Sequence, residues 1–340
     1  MSFRSVIQGA EFFVPENRVP NSELCKKIPI TPEWIIARTG IEERRYAESD
    51  TCTSDIAIEA IKKLLKKTNS SPADFDLLVC ATLSSDHFFP GMGTTIQHKL
   101  GFSKIPAVEV RAQCSGFVYG LSSVDAYIRS GKYKKVLFVC AEIQNSVLDF
   151  SDKGKDMAIL FGDGAGAIIV EAQPEEKPLT VESKERGVID IEIGGDGAGL
   201  NDLIMKTPGS ANPSFMRHED IEEGTYHPTM NGLRVFRHAV TRMVRLSVDI
   251  LKRHNLNIGD IDLVIPHQAN LRINEAVRQK LEMPEEKFFH NIQKYGNTTA
   301  ATIPIALAEA EQQGRLKTGD LILTPAFGAG FTWGIALIRW

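Results

Sequence analysis

The residue whose setting points most clearly to chemistry is a cysteine at a predicted strand-to-helix turn. Cys114 follows a strand-like run at 107–110 and precedes a helical run at 117–129. In that place the sulfur lies over the first N–H groups of the helix, whose partial positive charge favours the thiolate over the thiol. The sequence therefore predicts that Cys114 is a nucleophile with a lowered pKa.

Two further polar residues stand at element ends of the same kind. His267 ends the apolar run 263–266, and Asn297 lies in a Gly-Asn turn that precedes another helical run. Catalytic residues of α/β folds gather at such places. Taken singly, each of these residue types is more often structural, so the prediction rests on the three together. The remaining cysteines have no comparable setting and are predicted to be structural: Cys25, Cys52, Cys80 and Cys140.

The order of strand-like and helical runs predicts an α/β fold of two similar halves, 1–174 and 175–340. In the first half, strands are predicted at 75–83, 107–110, 136–142 and 158–171, and helices at 54–67, 94–100 and 117–129. In the second half, helices are predicted at 235–254, 271–281 and 300–311, and strands at 261–266, 320–325 and 331–340. A Gly-Ala-Gly triplet precedes the last strand of each half, at 164–166 and 328–330. The pattern predicts mixed sheets covered by helices, a junction near 172–178, and an active site between the halves.

Composition narrows the class of protein. The chain has 340 residues, of which 43% are hydrophobic and 24% charged, enough for two domain-sized units of a soluble protein. No apolar stretch approaches the roughly 20 residues that span a bilayer, and no export signal is expected. Five cysteines without a Cys-x-x-Cys pair indicate the cytoplasm. The net charge of −4 argues against general nucleic-acid binding.

Five motifs in a fixed order carry a family resemblance. They are Cys-Ser-Gly-Phe at 114–117, Phe-Gly-Asp-Gly-Ala-Gly-Ala at 161–167, Pro-His-Gln-Ala-Asn-Leu-Arg-Ile at 266–273, Tyr-Gly-Asn-Thr at 295–298 and Phe-Gly-Ala-Gly-Phe-Thr-Trp-Gly at 327–334. Together they resemble the 3-oxoacyl-[acyl carrier protein] synthase III family, the initiating condensing enzymes of bacterial fatty acid synthesis. The similarity runs from Trp34 to Trp340. It implies the five-layered αβαβα thiolase fold, with the two halves as a pseudo-dimer, and a homodimeric assembly.

The resemblance also implies a role for each site residue. Cys114 would attack an acyl-CoA primer and hold the acyl group, while the backbone N–H groups of Cys114 and Ala329 form the oxyanion hole. His267, through a ring N–H, and Asn297, through its amide, would donate to the thioester oxygen of malonyl-[acyl carrier protein] as carbon dioxide leaves. Coenzyme A enters as part of the substrate, and neither a resident cofactor nor a metal is expected.

Substrate-binding residues follow from the same resemblance. Trp34 would stack on the adenine of coenzyme A with Arg38 beside it, and Lys153 would face the other side of the ring. Asn270 would bond the pantetheine arm. Phe89 would either close the acyl pocket of a partner subunit or simply pack the dimer core. A basic rim for the acidic carrier protein, or equally a solvated helix face, is expected from Arg237, Arg272, Arg278 and Lys280.

Two positions depart from the family pattern. Ala329 stands where glycine is common, which would be uncomfortable if its φ were positive, and Gln113 stands where a small residue is common. The segment 194–228 is predicted to be a long surface loop near the tunnel mouth. The sequence leaves open the primer, whether acetyl, branched or medium-chain. It also leaves open a relative that joins two acyl chains head to head or makes polyketide or quinolone precursors, and a non-catalytic scaffold that binds the carrier protein.

Overall fold

Two mixed β-sheets with helices between and outside them form the computed structural model of the chain, which describes residues 2–102 and 104–340. The first half contains β1 (Ser2–Phe13), β2 (Arg18–Pro20), α1 (Asn21–Leu24), α2 (Pro32–Thr39), β3 (Glu43–Arg45), α3 (Thr53–Thr68), β4 (Leu77–Ala81), α4 (Met92–Leu100), β5 (Ala107–Val110), α5 (Gly116–Arg129), β6 (Lys135–Glu142), α6 (Lys155–Ala158) and β7 (Gly164–Glu175). The second half contains β8 (Gly187–Gly195), β9 (Leu203–Ile204), α7 (His218–Glu222), β10 (Thr229–Met230), α8 (Gly232–Arg253), β11 (Leu263–Val264), α9 (Leu271–Lys280), α10 (Ile292–Tyr295), α11 (Thr302–Gln312), β12 (Leu321–Leu323), β13 (Ala326–Gly328) and β14 (Thr332–Arg339).

The two sheets repeat one topology. In the first, the strand order is β1-β7-β6-β4-β5, with β4 parallel to β5 and β6, and β7 antiparallel to β6 and β1. In the second, β11 is parallel to β12, and β14 is antiparallel to β12, β13 and β8. Strands β1, β7, β6 and β4 therefore correspond to β8, β14, β12 and β11. This confirms the predicted pair of similar halves.

Helices complete five layers. Helices α5 and α11 lie between the sheets and contribute to a core that includes residues of both, whereas α3 and α4 pack on the outer face of the first sheet. Helices α8 and α9 pack together on the outer face of the second. Residues 302–310 of α11 are all buried, as a helix enclosed on every side requires. The order of layers is αβαβα, as the family resemblance implies.

Several predicted boundaries are wrong for identifiable reasons. The strand predicted at 158–171 begins only at Gly164, because the preceding residues form α6 and a connection. Strands β1 and β8 were not predicted. The junction predicted at 172–178 is partly strand: β7 continues to Glu175 because it pairs along its length with β1, so that Ser2 faces Glu175. Pairing with a distant strand keeps this polar stretch extended, and the local sequence does not encode that.

The segment 194–228 is more ordered than the predicted surface loop. Gly194 and Gly195 end β8, a 3-10 turn follows at Gly197–Asp202, and β9 then pairs with β10. Further along, the Asp220 carboxylate accepts the backbone N–H of Arg217 at 2.7 Å and holds the start of α7. Among the described helices, none is both long and apolar enough to cross a membrane.

Candidate active site

The nucleophile candidate sits in a tight connection between β5 and α5. Cys114 is the middle residue of the 3-10 turn Gln113–Ser115 and is 8% exposed. Gln113 has φ of 45°, an unusual left-handed conformation for a side chain of its size. The connection is closely packed: a Cβ at Gly328 would lie 2.8 Å from the Cys114 Cβ and 3.0 Å from its backbone N. Only glycine fits there.

His267 and Asn297 are held beside Cys114 by backbone hydrogen bonds. The His267 N–H donates to the Pro325 carbonyl at 2.9 Å, which fixes the chain just after β11. The Asn297 N–H donates to the Leu160 carbonyl at 2.8 Å, and the Gly162 N–H donates to the Asn297 carbonyl at 3.1 Å. The 161–167 motif therefore serves to position Asn297 against the first half of the chain.

The three residues meet in one cavity of about 470 Å³. Cys114, His267 and Asn297 are buried and form its inner end, whereas Arg38 and Arg272 are exposed and mark its mouth. The walls between are mainly apolar and come from α8, β9, β10 and the 159–161 turn: Ile159, Leu160, Phe161, Leu203, Met230, Leu233, Val235, Phe236, Ala239 and Met243. A long apolar passage that ends on a thiol suits a substrate with an extended arm.

Burial dominates the electrostatics of Cys114. It raises the pKa of the thiol to about 12, and the buried Glu142 carboxyl acts in the same direction. The backbone N–H at the turn and the side chain of Asn297 lower the pKa of the thiol but do not compensate for its burial. The predicted lowering of the Cys114 pKa is therefore wrong, because the sulfur is enclosed by protein and loses more by desolvation than it gains from the helix end.

The two other polar groups are neutral hydrogen-bonding groups. Burial lowers the pKa of His267 to about 3, so the ring is uncharged at physiological pH. Its Nδ1 lies 2.6 Å from the Thr302 Oγ1, and its Nε2 has no hydrogen-bond partner among the described residues. The Asn297 Oδ1 accepts the Thr299 N–H at 2.8 Å, which leaves the amide N–H groups to donate. Neutral donors in a cavity with mainly apolar walls can stabilise negative charge that develops on a substrate oxygen.

The backbone conformation at Ala329 is compatible with alanine in place of the glycine that is common in the family. Ala329 is not among the described residues with positive φ, whereas the following Gly330 has φ of 134°. The Thr332 hydroxyl lies 3.0 Å from the Ala329 carbonyl oxygen and 3.2 Å from the Ser115 Oγ, which ties this turn to the nucleophile turn. Gly330, and not Ala329, has the positive φ, so an alanine at position 329 causes no backbone strain.

Comparison with known proteins fixes the family. The family models for 3-oxoacyl-[acyl-carrier-protein] synthase III match residues 108–198 and, for its C-terminal part, 251–340. The chain is 40% identical over 334 residues to the β-ketoacyl-[acyl-carrier-protein] synthase III of Caldanaerobacter subterraneus subsp. tengcongensis, covering 98% of this chain and 97% of that one. This chain belongs to the 3-oxoacyl-[acyl-carrier-protein] synthase III family.

Solved structures of the family have the same fold. The synthase III of Aquifex aeolicus VF5 superimposes with a TM-score of 0.87 at 37% identity, covering 99% of this chain and 100% of that one. The priming β-ketosynthase of the R1128 polyketide biosynthetic pathway superimposes with a TM-score of 0.88 at 33% identity, covering 99% and 96%. The Aquifex synthase III and the priming β-ketosynthase of a polyketide pathway thus resemble this chain to similar degrees.

Of the residues expected to bind coenzyme A, Arg38 and Asn270 line the cavity, whereas Trp34 and Lys153 do not. The Arg38 guanidinium stacks on Trp34 at 4.0 Å from the ring centroid, so the two present one surface. Lys153 is exposed, and its ammonium lies 3.4 Å from the Glu223 carbonyl oxygen. Asn270 lines the cavity, but its amide already donates to the Arg38 carbonyl at 3.0 Å, and its Oδ1 accepts the Arg272 N–H that begins α9.

The four residues proposed for the carrier-protein rim differ in exposure and in their contacts. Arg237 and Lys280 are exposed, and Arg272 lies at the mouth with its guanidinium 5.9 Å from the Phe236 ring centroid. Arg278 differs, because it is half-buried and occupied by an ion pair with Glu275 at 2.8 Å as well as a backbone carbonyl. Its guanidinium already forms contacts that hold the C-terminal end of α9. Of the four predicted rim residues, Arg278 is therefore the least suited to bind the carrier protein.

Several residues of the site were not predicted. Thr302 contacts His267, and the buried Glu142 acts on the Cys114 thiol from behind the cavity. Half of the ten apolar wall residues come from α8, whose helical periodicity of apolar residues was visible in the sequence, although nothing there distinguished a cavity wall from ordinary core. No three His, Cys, Asp or Glu side chains within the described ranges are placed to hold a metal ion.

Proposed function

We propose that this chain condenses an acyl-CoA primer with malonyl-[acyl carrier protein] to give 3-oxoacyl-[acyl carrier protein], carbon dioxide and free coenzyme A, the step that initiates fatty acid synthesis. The observation that carries the proposal is the convergence of Cys114, His267 and Asn297 at the closed end of one apolar passage. Membership of the synthase III family supplies the reaction class.

The first half-reaction transfers the acyl group to the enzyme. The Cys114 sulfur attacks the thioester carbonyl of the primer, the bond to the coenzyme A sulfur breaks, and the thiol proton leaves with that sulfur. The backbone N–H groups of Cys114 and Ala329 stabilise the negative charge on the acyl oxygen. Since the Cys114 thiol is protonated at rest, deprotonation belongs to this step and is not completed before it.

The second half-reaction extends the acyl chain by decarboxylation. The malonyl C–C bond breaks, carbon dioxide leaves, and the electron pair forms an enolate whose carbon attacks the acyl group on Cys114. The bond between the acyl carbon and the Cys114 sulfur then breaks, and the thiolate that leaves takes up one proton from solvent to restore the thiol. His267 and Asn297 donate hydrogen bonds to the enolate oxygen, and removing one such donor costs on the order of 100-fold or more in rate. Because the enolate arises from carbon dioxide loss, the site requires no strong base, which agrees with a neutral His267.

Each substrate has a candidate binding surface on the rim. Trp34 and Arg38 suit the adenine of coenzyme A, since a stacked cation and ring form a flat surface beside the mouth. Arg237, Arg272 and Lys280 suit the acidic carrier protein. We place the reaction in the cytoplasm, since all five cysteines are free.

A homodimer is part of the proposal. Phe88 and Phe89 are 72% and 82% exposed in the single chain, and Phe88 packs edge-on against Phe215 at 5.0 Å between ring centroids. Exposed aromatic side chains that are clustered mark an interface. We propose that a second copy covers this cluster and that Phe89 enters the partner's acyl pocket.

The function is tested by the mass of the carrier protein after incubation with enzyme, malonyl-[acyl carrier protein] and a panel of acyl-CoA primers. A 3-oxoacyl chain on the carrier supports the proposal, and the preferred primer indicates whether the pathway is fatty acid synthesis or the priming of a polyketide. Two acyl-CoA substrates joined without malonyl-[acyl carrier protein] would support the head-to-head alternative. If the carrier protein binds to the chain but is not modified, the result would contradict both reactions and support a non-catalytic scaffold.

A further inference from the structure

The hydroxyl group behind His267 is unused by the reaction as proposed, yet it contacts the catalytic ring directly. Thr302 begins α11, is buried, and places its Oγ1 2.6 Å from the His267 Nδ1 and 3.0 Å from the Thr299 carbonyl oxygen. A hydroxyl has one proton and can donate to one of these two acceptors. The acceptor of the Thr302 hydroxyl proton determines which nitrogen of the neutral His267 ring carries the ring proton.

Two placements of the Thr302 and His267 protons agree with these two contacts. In the first, the hydroxyl donates to Thr299, the Nδ1–H of His267 donates to Thr302, and Nε2 faces the cavity as a bare lone pair. In the second, the hydroxyl donates to Nδ1, so the single ring proton of the neutral His267 is on Nε2 and faces the cavity. Only the second supplies the hydrogen-bond donor that the enolate oxygen requires.

The geometry favours the second arrangement. Hydroxyl donors make shorter hydrogen bonds than N–H donors do, and the 2.6 Å contact to Nδ1 is the shorter of the two made by the Thr302 hydroxyl. The Thr299 carbonyl does not depend on that hydroxyl, because it already accepts the backbone N–H of Thr302. His267 lines the cavity, and its Nε2 is buried with no protein partner in the described ranges, so this atom is free for a substrate oxygen.

We propose that Thr302 is a positioning residue that donates its hydroxyl proton to the His267 Nδ1 and thereby holds His267 in the Nε2–H tautomer required for decarboxylation. This inference deepens the proposed function and rests on it for its consequence in catalysis. The tautomer itself is a property of the resting protein. It can be measured without substrate.

The test combines nuclear magnetic resonance of the histidine rings with kinetics in three variants. Thr302→Val keeps the shape and removes the hydroxyl, Thr302→Ser keeps the hydroxyl, and Thr324→Val is the matched control. Thr324 is a buried threonine whose Oγ1 has no partner among the described residues. Protein labelled with ¹⁵N-histidine reports the tautomer of each ring, and a His267→Asn variant assigns the signal.

We expect an Nε2–H tautomer for His267 in the wild type, in Thr302→Ser and in Thr324→Val, and a shift toward Nδ1–H in Thr302→Val. The rate of malonyl decarboxylation, divided by the rate of self-acylation, should fall at least about tenfold in Thr302→Val and recover in Thr302→Ser.

A wild-type His267 in the Nδ1–H form overturns the proposal. So does a Thr302→Val protein that keeps the Nε2–H form. A wild type with the expected tautomer but no condensation activity leaves the role of Thr302 in place and contradicts the proposed function instead.

Discussion

Cys114 shows how the surroundings of one residue decide its chemistry. The position at the start of α5 suggests an activated thiolate, but the side chain is enclosed, and the pKa rises to about 12. Desolvation of a largely buried sulfur is a larger effect than one helix end, whose influence falls off within a turn. The Cys114 thiol must therefore lose its proton during the reaction with the thioester substrate, because no thiolate is formed beforehand.

This account predicts the pH dependence of alkylation at Cys114. Since the thiol pKa lies far above neutrality, the thiolate fraction should rise about tenfold for each unit of pH. The rate of reaction with iodoacetamide at Cys114 should therefore keep rising from pH 6 to pH 9.5. Peptide mass spectrometry separates it from the exposed Cys52. A rate that reaches a plateau below pH 7 would show a stabilised thiolate and contradict the account.

At the scale of elements, the end of β6 connects the catalytic turn with the loop after β4. The Glu142 carboxylate at this end accepts the Ser84 hydroxyl at 2.8 Å and the Leu83 N–H at 3.2 Å. Ser84 in turn lies at the base of the loop that carries Phe88 and Phe89. Burial raises the pKa of Glu142 to about 7, although these hydrogen bonds lower it. The strand end thus contains a carboxyl group that takes up a proton near neutrality.

The raised pKa predicts a pH-dependent stability. The carboxyl has a higher pKa in the folded state, about 7, than its ordinary value of 4.5, so folding takes up a proton between these pH values. The free energy of unfolding should therefore fall as the pH rises from about 4.5 to about 7, by up to about 3 kcal/mol from this group. Urea unfolding at several pH values measures it.

Two variants isolate the contribution of Glu142. Glu142→Gln removes the titration, so its stability curve should be flatter than that of the wild type over this interval. Glu59→Gln in α3, where the side chain is 44% exposed and paired with Lys62, is the control and should follow the wild type. If Glu142→Gln and the wild type have parallel curves, Glu142 is ionised throughout and the assigned pKa is wrong.

The N-terminus of α9 bears Arg272, the member of the proposed carrier-protein rim that lines the cavity. Arg272→Glu reverses a charge at the cavity mouth, where steering acts on encounter and weakens with salt. We expect a KM for malonyl-[acyl carrier protein] raised about tenfold at low salt, with a smaller difference at high salt. Lys66→Glu, at the exposed end of α3 in the opposite outer layer, should leave this KM unchanged. An equal rise of KM in both variants would argue against a localised rim.

How far the sequence predicts these elements depends on whether a signal is local. The turn around Cys114 and the helix after it were predicted to within a few residues, because a strand, a small-residue turn and an amphipathic helix each leave a local pattern. Strands β1 and β8 were missed because distant pairing defines them. Thr302 was missed because its importance arises only when α11 is packed beside His267. The Cys114 pKa was mispredicted because burial cannot be read from neighbours in sequence.

At the scale of the whole molecule, the duplicated topology explains why the site lies where it does. Each half supplies one helix of the central layer, α5 from the first and α11 from the second, and the proposed catalytic residues lie just before these helices and after β11. Cys114 comes from one half, and His267 and Asn297 come from the other. The cavity between them is open at one end toward Arg38 and Arg272.

The exposed loop after β4 predicts a role for a second copy. Phe89→Ala should shift primer preference toward longer or branched acyl chains, since it opens space at the floor of the partner's pocket. It should also destabilise the protein by about 3 to 5 kcal/mol if the ring is fully buried in the dimer. Competition among acyl-CoA primers and sedimentation measure the two effects.

Phe88→Ala is the control from the same loop, because Phe88 already packs on Phe215 within one chain. It should leave the primer ranking unchanged. A folded, dimeric Phe89→Ala enzyme with the wild-type ranking would assign chain-length control elsewhere, to Gln113 or to the segment 194–228.

The division of labour between the two halves is the central claim, and intact-protein mass spectrometry after exposure to an acyl-CoA primer tests it most directly. The wild type should gain one acyl group, Cys114→Ala should gain none, and His267→Ala and Asn297→Ala should gain the group but fail to pass it to malonyl-[acyl carrier protein]. A Cys114→Ala protein that still carries the acyl group, or a His267→Ala protein that condenses at the wild-type rate, would contradict the account.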